Sequence, residues 1–279
     1  MMKHEFYYTS RDSVTKIHAI EWIPDGEVKG ILQICHGMVE YIDRYDDFAK
    51  FMCGHGYYVV GHDHLGHGKS IQTEADLGYF DERKGNQYVI GDIYRLQEMT
   101  KKKYPDAPYF MLGHSMGSFL LRQYLTMYAG GLSGAVIMGT GYQGALTLSA
   151  GRIVCRIIAA FKGWKYRSTF VDNLSFGGFN KKFEPGETSK EWITSDKKKR
   201  DEYVQDPLCS YTFTLGAYYQ MFTGMKVLVQ KESMERIPKT LPVLFTAGAD
   251  DPVGAFGKNV TRVYEKYKNA GIKDVSIHL

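Results

Sequence analysis

The sequence predicts an α/β fold, with a mostly parallel central sheet flanked by helices and a largely helical insertion late in the chain. Three observations lead there. Short apolar runs alternate with amphipathic stretches from residue 30 to residue 138, the pattern of strands and helices that build a covered parallel sheet. The alternation lapses between residues 142 and 236 and resumes at residue 241. A serine bracketed by glycines, Gly113-His114-Ser115-Met116-Gly117, stands where an apolar run gives way to a helical one.

The elements follow in order. Residues 6–8 and 16–22 read as an opening hairpin turned at residues 10–13. Residues 30–35 form a continuous apolar run, the mark of a strand buried on both faces. Residues 44–54 read as a helix, with Tyr45, Phe48, Ala49 and Met52 on one face. A strand over 57–61 comes next, and then a long amphipathic helix over 87–103 that ends before Pro105. Strand 109–112, helix 117–128 and strand 134–138 complete the first half. Strand 241–247, helix 257–269 and a last strand from Val275 to Leu279 close the chain. The expected division is a core of residues 1–141 and 237–279, with residues 142–236 as an inserted helical cap.

Composition narrows the function. The 279 residues are 44% hydrophobic and 24% charged, with a formal net charge of +4. That suits a sizeable core and argues against global disorder. So small an excess of positive charge indicates no nucleic-acid partner. The basic runs at 101–103 and 197–200 read as solvated faces, or as weak attraction to an anionic lipid surface. Cys35, Cys53, Cys155 and Cys209 lack metal-binding spacing and read as buried free thiols, as in a reducing compartment. The N-terminus shows no apolar leader and no run reaches the ~18 residues of a spanning helix. A cytoplasmic location is the expectation.

The G-x-S-x-G stretch carries the chemistry. A strand-to-helix turn sharp enough to project the Ser115 hydroxyl forces a strained serine backbone. Glycines two residues either side remove side chains that would collide across the turn. Met116 then opens a helix, and its N–H can donate to an oxyanion. His36-Gly37-Met38 directly follows the strand at 30–35, so Met38 is the expected second oxyanion donor, with His36 architectural. The strand at 241–247 ends in Gly248-Ala249-Asp250-Asp251. An aspartate there would stand at the same sheet edge as Ser115 and could orient a histidine. Asp251 is preferred over Asp250, although either could simply cap the next helix.

At this point the chain resembles the monoacylglycerol lipase and lysophospholipase group of α/β-hydrolases, often catalogued with serine aminopeptidase-like domains. His36-Gly37-Met38-Val39-Glu40 through Arg44-Tyr45 is similar to that family's H-G-x-x-E-x-x-x-R-Y. Asp63 to Ser70 is similar to its D-x-x-G-H-G-x-S, and Gly113 to Gly117 to its G-H-S-M-G. The resemblance covers nearly the whole chain. It implies an α/β-hydrolase fold, Asp251 as the acid, a variable cap lining an acyl channel, a small-molecule acyl ester as substrate, and no cofactor and no metal. It also places the base histidine in the loop after the last strand. Here that strand is Val275-Ser276-Ile277-His278-Leu279, so the histidine is expected beyond Leu279 and the polypeptide reads as cut short. His278 is the possible substitute base.

Two further patterns need weighing. His62, His64 and His67 have the H-x-H-x-x-H spacing of a zinc hydrolase, but Gly66 stands where that pattern wants an aspartate, which favours a structural loop. Ile153, Val154, Ile157, Ile158 and Phe161 recur at helical spacing. They read as core, or as a lid helix that touches acyl chains or makes transient contact with a membrane surface. Roles for residues 176–179 and 206–209 cannot be assigned from spacing. The expected function is a serine carboxylic-ester hydrolase for monoacylglycerol- or lysophospholipid-type esters, working through an acyl-enzyme. The alternative is a catalytically silent binding protein that keeps the pocket and lacks the base. An epoxide hydrolase is disfavoured because it would want an aspartate at position 115.

Overall fold

A computed structural model describes residues 1–279. Eight strands form one sheet: β1 (Met2–Thr9), β2 (Lys16–Ile23), β3 (Gly30–Cys35), β4 (Tyr57–His62), β5 (Tyr109–His114), β6 (Gly134–Met138), β7 (Val243–Thr246) and β8 (Val275–His278). Their spatial order is β1-β2-β4-β3-β5-β6-β7-β8. The first two strands pair antiparallel, β2 pairs antiparallel with β4, and the rest are parallel. The chain runs outward from β3 to β4, then returns to the other side of β3 as β5. Successive connections therefore leave in opposite directions from the gap between β3 and β5, and ligands of open parallel sheets bind at such a crevice, beyond the carboxyl ends of the strands.

Burial explains the strands. Every residue of β3 is buried. Ile31 and Cys35 belong to the larger core cluster and Leu32 and Ile34 to the smaller one, on the opposite face. The one polar residue, Gln33, is satisfied: its amide donates to the Ile93 carbonyl at 3.0 Å, and it accepts from the Tyr109 hydroxyl at 2.5 Å. Helix α1 (Asp46–Gly54) covers the smaller cluster, and α2 (Gly85–Lys103) and α3 (Met116–Leu125) cover the larger. A 3-10 turn at Ile42–Tyr45 precedes α1, so the helix expected from residue 44 starts at Asp46.

Between β6 and β7 the chain adds no strand. It forms α4 (Ala145–Lys162), α5 (Thr169–Phe176), α6 (Lys197–Gln205), α7 (Leu215–Val227) and α8 (Lys231–Glu235), with three 3-10 turns. Helix α9 (Lys258–Asn269) then joins β7 to β8. All four cysteines are buried and free. No helix is long and apolar enough to cross a membrane.

Candidate active site

The site grows from the ends of β3, β5 and β7. Ser115 joins β5 to α3 with φ 50° and ψ −117°, a left-handed backbone that a residue with a Cβ holds only under strain. The flanking glycines make the turn feasible. A Cβ on Gly117 would collide with the Cys35 carbonyl, and one on Gly113 with the Gly117 carbonyl. The Ser115 N–H donates to the Met138 carbonyl at 2.9 Å, and the Ser118 hydroxyl donates to the Ser115 carbonyl at 2.6 Å. The elbow is thus tied to β6 and to its own helix.

Two amides are free beside it. Met116 is the first residue of α3, where an N–H has no acceptor inside the helix. Met38, after the bend at Gly37, makes no backbone hydrogen bond within the chain. Val39 follows with φ 55°, a genuine outlier for a β-branched residue. That strain had no signal in the sequence.

A buried carboxylate holds the bend. Glu40 Oε1 accepts from the Gly37 N–H, from the Tyr45 hydroxyl at 2.9 Å and from His114 Nδ1 at 3.1 Å. Burial alone would raise the Glu40 pKa, but the His114 hydrogen bond and charge, with the Gly37 N–H, bring it down to about 2. For His114, burial lowers the pKa. The Glu40 hydrogen bond and charge, with Asp251 beyond, outweigh it and leave the pKa raised. The sequence motif contains Glu40 and Tyr45 but offered no role for either.

Asp251 sits past β7 and is half-buried. Its carboxylate accepts from the Val253 N–H at 2.8 Å. Burial raises its pKa, partly offset by the Val253 N–H and the His114 charge. Asp251 Oδ2 and His114 Cδ2 flank Gly139, each 3.5 Å from where a Cβ would stand. Asp250 instead faces solvent, 71% exposed, in an ion pair with Lys182.

His278 is placed elsewhere. The register pairs it with Thr246, Thr246 with Met138 and Met138 with His114. It therefore lies three strands from the elbow, roughly 14 Å at the usual interstrand spacing. No imidazole spans that distance to Ser115, and the expectation of a substitute base at His278 is corrected by this register.

The H-x-H-x-x-H residues are packed beside the bend. His36 Nδ1 donates to the Gly37 carbonyl at 2.8 Å, and Nε2 accepts from the His64 N–H at 2.9 Å, fixing the tautomer. His62 and His64 meet at 3.1 Å. Burial drives the pKa of His62 down to about 3 and that of His67 to about 4, and lowers those of His36 and His64 well below the ordinary value. No three His, Cys, Asp or Glu side chains converge where a metal ion could sit. Asp63 turns away, accepting from His18, the Ile42 N–H and the Lys69 N–H, each at 2.8 Å.

A cavity of about 680 Å³ opens over the elbow, and twenty of its thirty lining residues are hydrophobic. Met38, Ser115 and Met116 form its floor end, and Phe119, Phe176 and Phe222 are among its walls. Asp251 does not line it, although Val253 does. The unassigned segments build this cavity. Phe176 and Phe179 pack on Trp192 along one wall. Asp206 accepts from the Tyr41 hydroxyl at 2.7 Å, holding residues 206–209 to the segment after β3. The arrangement suits nucleophilic attack by a hydroxyl on a group whose oxygen meets two amides, with an oily substituent alongside.

Comparison with known proteins gives the family and the fold. A family model described as serine aminopeptidase, S33, matches residues 26–279. The mouse monoglyceride lipase is 27% identical over 236 residues, covering 82% of this chain and 68% of its own length. The human monoglyceride lipase is 27% identical over 232 residues with the same coverages. Among solved structures, a highly thermostable carboxyl esterase from Bacillus coagulans, in complex with glycerol, superposes with a TM-score of 0.91 at 27% identity, covering 100% of this chain and 89% of that one. A soluble variant of the Saccharomyces cerevisiae monoglyceride lipase superposes with a TM-score of 0.76 at 20% identity, covering 100% and 86%, a likeness of fold.

Proposed function

This chain belongs to the serine aminopeptidase S33 family and has the α/β-hydrolase fold of the monoglyceride lipase and lysophospholipase type; from that premise we propose that it is a serine carboxylic-ester hydrolase for lipid-like acyl esters. The observation that carries the reading is Ser115, held in a strained elbow at the floor of an apolar cavity, beside two unpaired amides. Ser115 is the nucleophile. Its oxygen adds to the ester carbonyl, the developing oxyanion accepts from the Met38 and Met116 N–H groups, and the alcohol leaves. Water then releases the acyl group from the serine. Asp251 orients and charge-balances the base.

None of the nine histidines stands between Ser115 and Asp251: His114 is held by Glu40, and His278 lies across the sheet.

The substrate class is a monoacylglycerol or a lysophospholipid. The similarity to monoglyceride lipases and the oily cavity support it. Each buried methylene contributes about 0.8 kcal/mol, so kcat/KM should climb roughly fourfold per carbon until the cavity fills. Turnover of an ester series by the parent and by Ser115→Ala tests both points. The expected result is a chain-length gradient that Ser115→Ala abolishes. Equal rates in the two proteins select the silent binder. Contact of residues 142–236 with a membrane surface belongs to the same reading.

A further inference from the structure

The lining of the cavity over Ser115 is of two kinds. One part is apolar: Leu148 and Val154 of α4, Val171 of α5, and Met221, Phe222 and Met225 of α7. The other comes from residues 190–212 and carries polar groups, with Lys190, Tyr203, Ser210, Tyr211 and Thr212 among them. Lys190 is the one cation in the whole lining, and it is half-buried. The carboxylates next to it in the chain are already engaged. Glu191 pairs with Arg200 at 2.6 Å, and Glu187 with Arg200 at 2.6 Å and Lys197 at 3.3 Å. Asp172, the one carboxylate in the lining, accepts from the Tyr218 hydroxyl at 2.5 Å. No ion pair of the protein uses Lys190. An ammonium at the wall of a mostly oily space, without a counter-charge, is a ready partner for an anion that enters.

Two further features favour an anion on the same part of the lining. The Tyr211 hydroxyl is buried and has no hydrogen-bond partner, a vacancy that a ligand oxygen can fill. Two guanidinium groups stand by its tyrosines: Arg167 lies 6.0 Å from the centre of the Tyr211 ring, and Arg44 5.0 Å from that of Tyr203. Arg167 donates only to backbone carbonyls, so no carboxylate cancels its charge, while Arg44 has Glu40 at 3.7 Å. A neutral glycerol headgroup leaves Lys190 without a counter-charge. A phosphate supplies one, and its oxygens accept from both an ammonium and a hydroxyl.

We infer that Lys190 and Tyr211 bind the phosphate of a lysophospholipid headgroup while the acyl chain lies along α4 and α7, so that the cavity selects a lysophospholipid over a monoacylglycerol. This rests on the reading of Ser115 as the nucleophile for an acyl ester, and it narrows that reading's substrate class. A small phosphate ester offers the same anion without a chain, but it leaves the apolar part of the lining unfilled.

The test is a binding titration of the full chain, read by intrinsic fluorescence, since Trp192 lines the cavity and Trp22 and Trp164 do not. The ligands are decanoyl lysophosphatidylglycerol, decanoyl monoacylglycerol and glycerol 3-phosphate, all kept below the micelle threshold. The lysophospholipid should bind about tenfold or more tighter than the monoacylglycerol, and added salt should narrow the gap. Glycerol 3-phosphate should bind far more weakly than either lipid. Lys190→Gln should bring the two lipids to equal affinity, Lys190→Glu should reverse their order, and Lys190→Arg should keep the parent's preference. Tyr211→Phe should weaken the lysophospholipid alone, by a few-fold. Lys190 has no ion-pair partner to lose, so the thermal midpoints of its variants should stay at the parent's value. Equal affinities in the parent overturn the inference, as does a preference that survives Lys190→Glu. Glycerol 3-phosphate binding as tightly as the lysophospholipid would assign the site to a free phosphate ester, and overturns it too. Phosphonate labelling of the same protein reports Ser115 separately. A labelled serine with equal lipid affinities ends the headgroup inference alone, and an unlabelled serine with the preference intact ends the ester reading alone.

Discussion

One oxygen atom of Glu40 joins the two backbone bends that shape the site. It holds the Gly37 N–H, ahead of the Met38 amide, and His114, the residue before Ser115. Glu40 is a positioning residue: it acts through those neighbours and touches no part of the cavity. Glu40→Gln keeps the shape but removes the charge that raises the His114 pKa. The His114 pKa should then fall, readable by NMR titration of its ring. A hydrogen bond to a charged group is worth about 1.5–3 kcal/mol, so kcat should drop by roughly ten- to a hundredfold with KM nearly unchanged. A variant that lowers stability but moves neither the titration nor kcat would make Glu40 structural only. None of this was legible in the sequence. Residues 40 and 114 are 74 positions apart, and only the pairing of β3 with β5 brings them together. Ser115 was legible, because two glycines at fixed offsets are a local demand of the turn itself.

At the scale of elements, what could be read depended on burial. Strands β3, β5 and β6 are covered on both faces, so each is mostly apolar, with Gln33 the one polar residue inside β3. Strand β1 begins at Met2 rather than at residue 6, because an almost wholly exposed edge strand has no hydrophobic alternation to detect. In α4 the periodicity was visible but not the side it would bury, since apolar residues surround the helix. The opening hairpin is fastened to α2 by Asp92, which accepts from the Ser10 hydroxyl at 2.7 Å and from the Arg11 N–H at 2.6 Å. Burial outweighs those bonds and lifts the Asp92 pKa to about 7. A raised carboxyl contributes stability that is complete below its unfolded pKa near 3.8 and is lost as pH rises through about 7. Asp92→Asn keeps an acceptor for the Arg11 N–H and carries no charge. Its melting temperature should exceed the parent's at pH 8 and approach it at pH 5. Parallel pH profiles for the two proteins would contradict this reading of the hairpin.

For the whole molecule, the histidines around the sheet's switch point set its response to acid. His36, His62, His64 and His67 are held neutral by burial, with folded pKa values below the ordinary 6.5. A lowered group contributes stability that is present above its unfolded pKa and lost as pH falls towards its folded pKa. His18 and His114 are raised, so their gain on acidification is complete by pH 6.5. Between pH 6.5 and about 4.5 the four neutral histidines are opposed chiefly by Asp92. Unfolding there takes up protons net, so stability falls as the pH drops through this window. Urea midpoints should fall across this window, and flat midpoints would mean that these rings are not buried neutral.

The same switch point carries the central claim, that Ser115 is a nucleophile at the floor of an acyl-binding cavity. Intact-mass spectrometry after incubation with a long-chain alkyl fluorophosphonate tests it most directly, because the phosphonate reports the attacking oxygen itself. The expected result is a single adduct that maps to Ser115, is absent in Ser115→Ala, and forms faster as the alkyl chain lengthens. An unmodified protein, an adduct on another residue, or a rate indifferent to chain length would contradict the account.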